Sequence, residues 1–194
     1  MLIFKCVWFL WHYMFGYCKK GWWNLVILGI DPGYAIIGHG AIDFKNNKYT
    51  AIAYGAIITN CNDEFTSRLN VIYDSMKSIL AKINPQALAI EKLYFQNNQK
   101  TAICVAEARG VILLAARRFG VPIFEYTPLQ VKSAVTGYGQ AKKTQVMQMT
   151  KRLLRLSQMP KLDDTADALA IAICHANANG YRLRENAVKG RINN

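Results

Sequence analysis

The sequence predicts a mixed α/β fold with a five-stranded sheet flanked by helices. Two short apolar runs lead directly into acidic residues, Leu25 to Asp31 and Ala87 to Glu91, and such runs are typical of buried strands. Between them, two segments rich in Ile, Ala and Tyr are separated by Asn46-Asn47, which indicates a β-hairpin. The apolar residues from Phe65 to Ile83 recur at spacings of three, four or seven, which indicates an amphipathic helix.

The opening strand ends at Asp31, where the Pro32-Gly33 pair predicts a tight turn. The hairpin that follows should pair Ala35 to Lys45 with Lys48 to Thr59, because consecutive Asn residues tolerate the positive φ angles of a two-residue turn. These first three strands are most simply antiparallel.

The remaining elements alternate between helices and short strands. The first helix should stop at Asn84-Pro85, since a proline disfavours helical backbone in the residue before it. Gly110 would permit a neighbour to approach the second helix closely, and Thr144 is a candidate N-cap for the fourth. The predicted bounds are helices at Thr66 to Ile83, Asn98 to Phe119, Pro128 to Val135, Thr144 to Leu156 and Leu162 to Ala178, with a fifth strand at Val121 to Tyr126.

The composition points to a polyanionic partner. The chain carries 24 Lys and Arg against 12 Asp and Glu, a net charge of +12, which suits nucleic acid or an anionic membrane surface. The five cysteines are scattered and lack C-x-x-C spacing, so neither a zinc site nor a disulfide framework is indicated. A reducing cytoplasm is therefore the expected location.

The chain divides into three parts, of which the middle one, residues 24–179, holds the predicted domain. The first twenty residues contain no Asp or Glu and many aromatics, and their apolar run is broken by Lys5 and His12. They fit neither a spanning helix nor a secretion signal. Residues 1–23 are therefore expected to be a disordered extension or to lie upstream of the true start, with an interfacial anchor as the alternative. Residues 180–194 form a basic tail.

Four carboxylates are candidates for a metal site. Asp31 and Glu91 end two buried strands and converge if those strands are neighbours, while Asp164 and Asp167, three apart on the last helix, share a face. Asp163 is expected to point elsewhere. Clustered carboxylates require neutralising cations, and hard oxygen ligands select Mg²⁺ or Mn²⁺. A pair of such ions can activate a water for phosphodiester hydrolysis. The alternative assigns each acid a structural role, as a turn cap, a surface charge or a helix first-turn residue.

Six motifs resemble those of one known family. GIDPG, AIEKLYF, ARG, PLQVK, YGQAKKTQV and DDTADALAIA occur between Leu25 and His175 in the order found in RuvC-type Holliday-junction resolvases. The resemblance implies an RNase H-like fold, a homodimer and hydrolysis of four-way junction DNA with two Mg²⁺ per subunit, for which Mn²⁺ can substitute. It also implies the RuvA-RuvB branch-migration complex as a partner, and no membrane association.

Carried over position by position, the resemblance assigns site residues. Two features depart from the family pattern: the N-terminal extension, and the segment Lys92-Leu93-Tyr94, which often reads Gln, Val, Phe. The resemblance implies that the catalytic and metal-binding acids are Asp31, Glu91, Asp164 and Asp167, that Lys132, Lys142 and Lys143 contact phosphates, and that Tyr94 or Phe95 wedges between bases at the junction centre.

Other readings of the chain remain open. A basic junction-binding module whose acids are only structural would share the charge pattern, and so would a different RNase H-like nuclease that cuts hybrids or another branched DNA. An actin-like ATPase is excluded, because that architecture needs two such domains and this chain is too short. His39 and His175 are expected to be structural.

Overall fold

The fold is a five-stranded sheet between two layers of helices. A computed structural model describes residues 24–93 and 99–192. Residues 1–23 and the aromatic pair Tyr94 and Phe95 lie outside the described residues. The elements in chain order are β1 Leu25–Asp31, β2 Ile36–Lys45, β3 Lys48–Ile58, α1 Phe65–Ile83, β4 Ala87–Glu91, α2 Gln99–Arg118, β5 Ile123–Tyr126, α3 Pro128–Thr136, α4 Lys143–Leu154 and α5 Asp163–Ile192.

The strand order is β3-β2-β1-β4-β5, which makes β1 the central strand. β1, β2 and β3 pair antiparallel, as predicted, whereas β4 and β5 run parallel to β1. The hairpin between β2 and β3 turns at Asn46 and Asn47, whose φ angles are 53° and 59°. Two consecutive positive φ angles match the right-handed twist of the paired strands, so this turn is confirmed.

Each face of the sheet carries its own apolar core. One core packs α3, α4 and α5 against the sheet around Ile42 and Leu169. The other packs α1 and α2 around Leu28, Ile72 and Ile112. β1 contributes to both cores through alternate residues, which explains why its sequence is apolar without interruption.

Two helix ends differ from the prediction. α4 begins at Lys143 rather than after a Thr144 cap: the backbone N–H of Lys142, the N-cap, donates to Gln145 Oε1 at 2.8 Å. The side chain of Gln145, the third residue of the helix, therefore satisfies the backbone amide of the N-cap. α5 continues to Ile192 instead of ending at Ala178. Residues 180–194 were expected to form a basic tail, but the glycine at its start lowers helix stability by only about 1 kcal/mol.

The helices among the described residues are too short or too polar to cross a membrane. Cys61, Cys104 and Cys174 are free thiols.

Candidate active site

Asp31 and Glu91 lie side by side at one edge of the sheet. β1 and β4 are parallel neighbours in which Ile30 is paired with Ile90, so Asp31 and Glu91 end the two strands side by side. The condition under which the two acids were expected to converge is therefore met. Both are partly buried, and they line a cleft of about 690 Å³ whose other walls come from residues 92–93 and 127–129.

Glycines in β1 and β2 let α5 bring its first turn to the same edge. A Cβ atom on Gly38 would lie 1.9 Å from the backbone oxygen of Asp164, and one on Gly29 would lie 2.0 Å from that of Ala168. The helix backbone therefore rests directly on the strands. Since Gly38 is the partner of Asp31 in the β1–β2 ladder, this contact sets Asp164 beside Asp31.

The loop after Asp31 is held from behind by a buried arginine. Arg68 of α1 is 7% exposed, and its Nη2 donates to the backbone oxygen of Tyr34 at 3.1 Å. The Thr59 hydroxyl donates to the same oxygen at 2.8 Å and accepts from Arg68 Nε at 3.0 Å. The guanidinium also lies 4.6 Å from the centre of the Tyr34 ring, a cation–π contact. These contacts fix the turn that carries Asp31, and the sequence offered no signal for them.

The carboxylates repel one another strongly. Burial, followed by the charges of Asp167, Glu91 and Asp164 in that order, raises the pKa of Asp31 to about 8 against the opposing charge of Lys143. Burial also raises the pKa values of Glu91 and Asp167. Asp167 adds to the shift at Glu91, and Lys132 opposes it. The structure therefore brings all four predicted acids into electrostatic contact, with Lys132 and Lys143 beside them.

Lys143 connects two acids of the last helix. Its Nζ lies 3.2 Å from Asp167 Oδ2 and 3.3 Å from Asp163 Oδ2. Burial lowers the pKa of Lys143, but the two carboxylates outweigh it and raise the pKa overall. The expectation that Asp163 points elsewhere was wrong. Asp163 and Asp167 are four residues apart, so they share a helix face, and both contact the Lys143 ammonium group. Lys142 is exposed at the start of α4.

The donor set fits a hard divalent cation. Oxygen ligands from carboxylates suit Mg²⁺ or Mn²⁺, and a bound cation would offset both the burial and the repulsion that raise the pKa of Asp31. Among residues 24–93 and 99–192, however, no three carboxylate, imidazole or thiol side chains form a ready-made metal site. The four carboxylates lie near one another, and binding of a divalent cation would require their side chains to move closer together.

The two histidines that the sequence analysis considered, His39 and His175, make contacts outside the group of four acids. His175 is buried, its Nδ1 is 2.6 Å from the Tyr126 hydroxyl, and its ring packs on Phe124. His39 is partly buried and its ring lies beside Gly55, so burial lowers its pKa. Both contacts suit the structural role that was expected.

Comparison with known proteins decides the family. The family model described as crossover junction endodeoxyribonuclease RuvC matches residues 27–175. The chain belongs to this family. A RuvC from Halothermothrix orenii is 55% identical over 159 residues, which cover 82% of this chain and 95% of the relative. A RuvC from Ruminiclostridium cellulolyticum is 50% identical over 155 residues, covering 80% and 93%.

Solved RuvC structures share the fold. The structure titled T. thermophilus RuvC in complex with Holliday junction substrate superposes with a TM-score of 0.77 at 34% identity, covering 80% of this chain and 94% of that chain. The yeast mitochondrial Holliday junction resolvase Ydc2 superposes with a TM-score of 0.58 at 15% identity, covering 78% of each chain, which supports the fold alone. The RNase H-like fold expected from the RuvC resemblance is thus confirmed, while the roles of Tyr94 and Phe95 stay predictions.

Proposed function

We propose that this RuvC-family chain resolves Holliday junctions by cutting two symmetrically placed phosphodiesters, in recombination and DNA repair. The observation that carries the proposal is the gathering of Asp31, Glu91, Asp164 and Asp167 at one sheet edge, beside an open cleft and on a chain of net charge +12. The relative from T. thermophilus was solved with a Holliday junction. A positively charged protein gathers carboxylates beside a cleft when a cation and a phosphate are to meet there.

The four acids are proposed to hold two Mg²⁺ ions, for which Mn²⁺ can substitute. Bound there, the ions would activate the attacking water and stabilise the leaving oxygen of the phosphodiester. Asp31 would bind in its carboxylate form, so cation binding near neutral pH should release its proton. Lys143 competes for Asp167, and cation binding would free its ammonium group to contact the scissile phosphate.

Substrate contacts are proposed for the surrounding basic and aromatic residues. Lys132 is close enough to Glu91 to affect its pKa, and Lys142 is exposed beside Lys143, so all three lysines can supply phosphate contacts around the cut. These contacts cannot distinguish a junction from ordinary duplex, because every duplex offers the same charge. Tyr94 or Phe95, next to the cleft residues 92–93, remains the proposed wedge at the junction centre.

A homodimer is proposed because paired cuts need two active sites. α2 presents a stripe of exposed residues at helical spacing: Ile103 is 63% exposed and Leu114 is 54% exposed, with Gly110 between them. A Cβ atom on Gly110 would meet nothing within 4 Å, so a second helix has room to approach there. Exposed apolar side chains around a small residue suit a helix-to-helix contact between two copies. We also propose a cytoplasmic location, from the scattered cysteines, and the RuvA-RuvB complex as partner, from the family resemblance.

Asp31→Asn tests the proposed chemistry. The substitution removes a charge and a cation ligand while keeping the shape of the side chain, so cleavage of a four-way junction in Mg²⁺ should fall at least a hundredfold. Junction binding should persist or tighten, because one negative charge beside the phosphates is gone. Asp74→Asn on α1 is the matched control, since Asp74 is exposed and pairs only with neighbours on its own helix.

Substrate choice is tested in the same reactions. Four-way, Y-shaped and RNA–DNA hybrid duplexes are offered together, and the four-way junction should be cut fastest. Preferred cleavage of hybrids would favour another RNase H-like activity. Calorimetric titration with Mg²⁺ separates the nuclease from a junction-binding module: a module with only structural acids would bind junctions, produce no heat with Mg²⁺, and cut nothing.

A further inference from the structure

The outward face of α4 carries cations that the proposed chemistry does not use. Lys151 and Arg152 each lie three or four residues from both Gln148 and Arg155, so the four residues share one side of the helix. They line a concavity of about 450 Å³, and Gln148 and Arg152 also line a second one of about 280 Å³ beside the loop before α4. This set of four residues is referred to below as the α4 basic face.

The cations of the α4 basic face lack acidic partners. In the described part of the chain, the ion pairs involve Lys77, Arg109 and Lys143, and none involves Lys151, Arg152 or Arg155. Three unpaired cations around a concavity repel one another, and a polyanion that fits the concavity would relieve this repulsion. A lysine or arginine in the last turn of a helix is favoured by the helix dipole, but the dipole does not require a cation just beyond the end.

Arg155 lies where a glycine would be favoured. It follows the last residue of α4 with φ 52°, in the left-handed region, and the N–H of Leu156 donates to the Lys151 oxygen at 3.0 Å to close the helix. Glycine adopts this conformation without steric cost, whereas a residue with a Cβ atom does not. The chain thus carries a guanidinium at a position where its backbone is strained.

α4 begins beside the active site, and the α4 basic face lies on the side of the helix opposite the buried Val146, Thr150 and Leu154. α4 begins at Lys143, whose ammonium contacts Asp167, and Arg155 follows twelve residues later, roughly 18 Å along the helix axis. In duplex DNA, successive phosphates of one strand advance about 3.4 Å along the helix axis, so this distance corresponds to about five base pairs. A duplex arm that leaves the cleft along α4 would bring its phosphates to these cations.

We propose that the α4 basic face holds the phosphates of one duplex arm of the junction, about five base pairs from the cut. The proposal rests on the proposed junction-resolving function and adds a second contact region to it. Arginine and glutamine side chains there would donate hydrogen bonds to phosphate oxygens. Because such contacts read charge and not sequence, they orient the arm relative to the acids without selecting a cleavage sequence.

Arg155→Gly separates binding from folding. It removes one cation and relieves the left-handed strain, so the melting temperature should stay the same or rise. In EDTA, full-length protein should bind a four-way junction about three- to tenfold more weakly, and the dependence of log K on log salt should flatten by roughly one. Lys82→Ala is the matched control: Lys82 is an exposed cation in the last turn of α1, on the opposite face of the sheet, and its loss should change affinity by less than twofold.

Chemical neutralisation of the DNA locates the contact. A junction with methylphosphonate linkages four to seven base pairs from the crossover of one arm pair should bind wild type about as weakly as Arg155→Gly binds native DNA. The variant should lose little more on the neutralised junction, because both changes remove the same contacts. Equal losses for wild type and variant, or no effect of neutralisation on wild type, would overturn the proposal.

Cleavage in Mg²⁺ at saturating protein keeps the two proposals distinct. Arg155→Gly should then cut at the wild-type rate, since it leaves the acids untouched. Suppose that wild type binds the native junction more tightly than the neutralised one but cuts neither. This result would overturn the resolvase function and still support the arm contact.

Discussion

At the scale of single residues, the central fact is a carboxylic acid whose environment disfavours its charge. Asp31 is flanked by three other carboxylates, and its pKa is about 8 instead of the usual 3.8. Between these values the folded protein keeps a proton that the unfolded chain has lost. Folding stability should therefore fall as the pH rises from about 4 to about 8.

A stability measurement in EDTA tests this effect. Asp31→Asn removes the titrating group, so it should be more stable than wild type at pH 8, by roughly a few kcal/mol, and close to wild type at pH 4. Urea denaturation at both pH values measures the difference. Mg²⁺ should stabilise wild type more at pH 8 than at pH 6, because the cation binds the carboxylate form. An Asp31→Asn protein less stable than wild type at pH 8 would show that the carboxyl is stabilising in its charged form.

The predictable residues were those whose neighbours in sequence determine their position. Asp31 and Glu91 end buried strands, and Asp164 and Asp167 share a helix turn, so sequence spacing indicated each pair, whereas the RuvC resemblance joined the two pairs into one site. Arg68 was missed because it contacts Tyr34 and Thr59 only in the folded structure, and no periodic sequence pattern connects these residues. The pairing of Asp163 with Lys143 was missed because it depends on where α4 begins beside α5.

At the scale of elements, the site depends on how closely α5 lies on the sheet. Gly38 and Gly29 allow the helix backbone to touch the strands, and this contact sets the height of Asp164 and Asp167 above Asp31. In the sequence, these glycines read only as small residues within apolar strands. Their role follows from the crossing of α5 over β1 and β2, which spacing alone does not specify.

Gly38→Ala should therefore displace α5 and with it the acids of the active site. The added Cβ would lie 1.9 Å from the Asp164 oxygen, and neither strand nor helix backbone can yield cheaply, so α5 must shift. We expect a loss of about 1–3 kcal/mol in unfolding free energy and, because small displacements of catalytic groups are costly, roughly a hundredfold loss in single-turnover cleavage.

The same substitution at Gly40 is the comparison. There the added Cβ would lie 2.7 Å from the Leu169 side chain and 3.0 Å from its backbone nitrogen, farther along α5 than Asp164, so more of the cleavage rate should survive. Equal cleavage by Gly38→Ala and wild type would show that the height of α5 does not control the acids.

At the scale of the whole molecule, paired cutting requires two copies of the site. The exposed stripe of α2 faces away from its own core, which it builds with Ala108, Ile112 and Ala115. The sequence predicted α2 and noted Gly110, but which of its apolar residues stay uncovered is decided by α1, which packs against its other side. The dimer was predicted only through the family resemblance.

Leu114→Glu tests the dimer. A charge buried between two α2 helices would lack a partner. The dissociation constant of the dimer, measured by sedimentation equilibrium, should therefore rise at least a hundredfold, which corresponds to about 2.8 kcal/mol. On a supercoiled plasmid with an extruded cruciform, the product should shift from linear DNA, which needs two cuts within one complex, to nicked circles. Val71→Glu, at an exposed apolar residue of α1, should leave both results unchanged. If Leu114→Glu still dimerises and still gives linear product, the subunits meet through a different surface, and the two sites are brought together without α2.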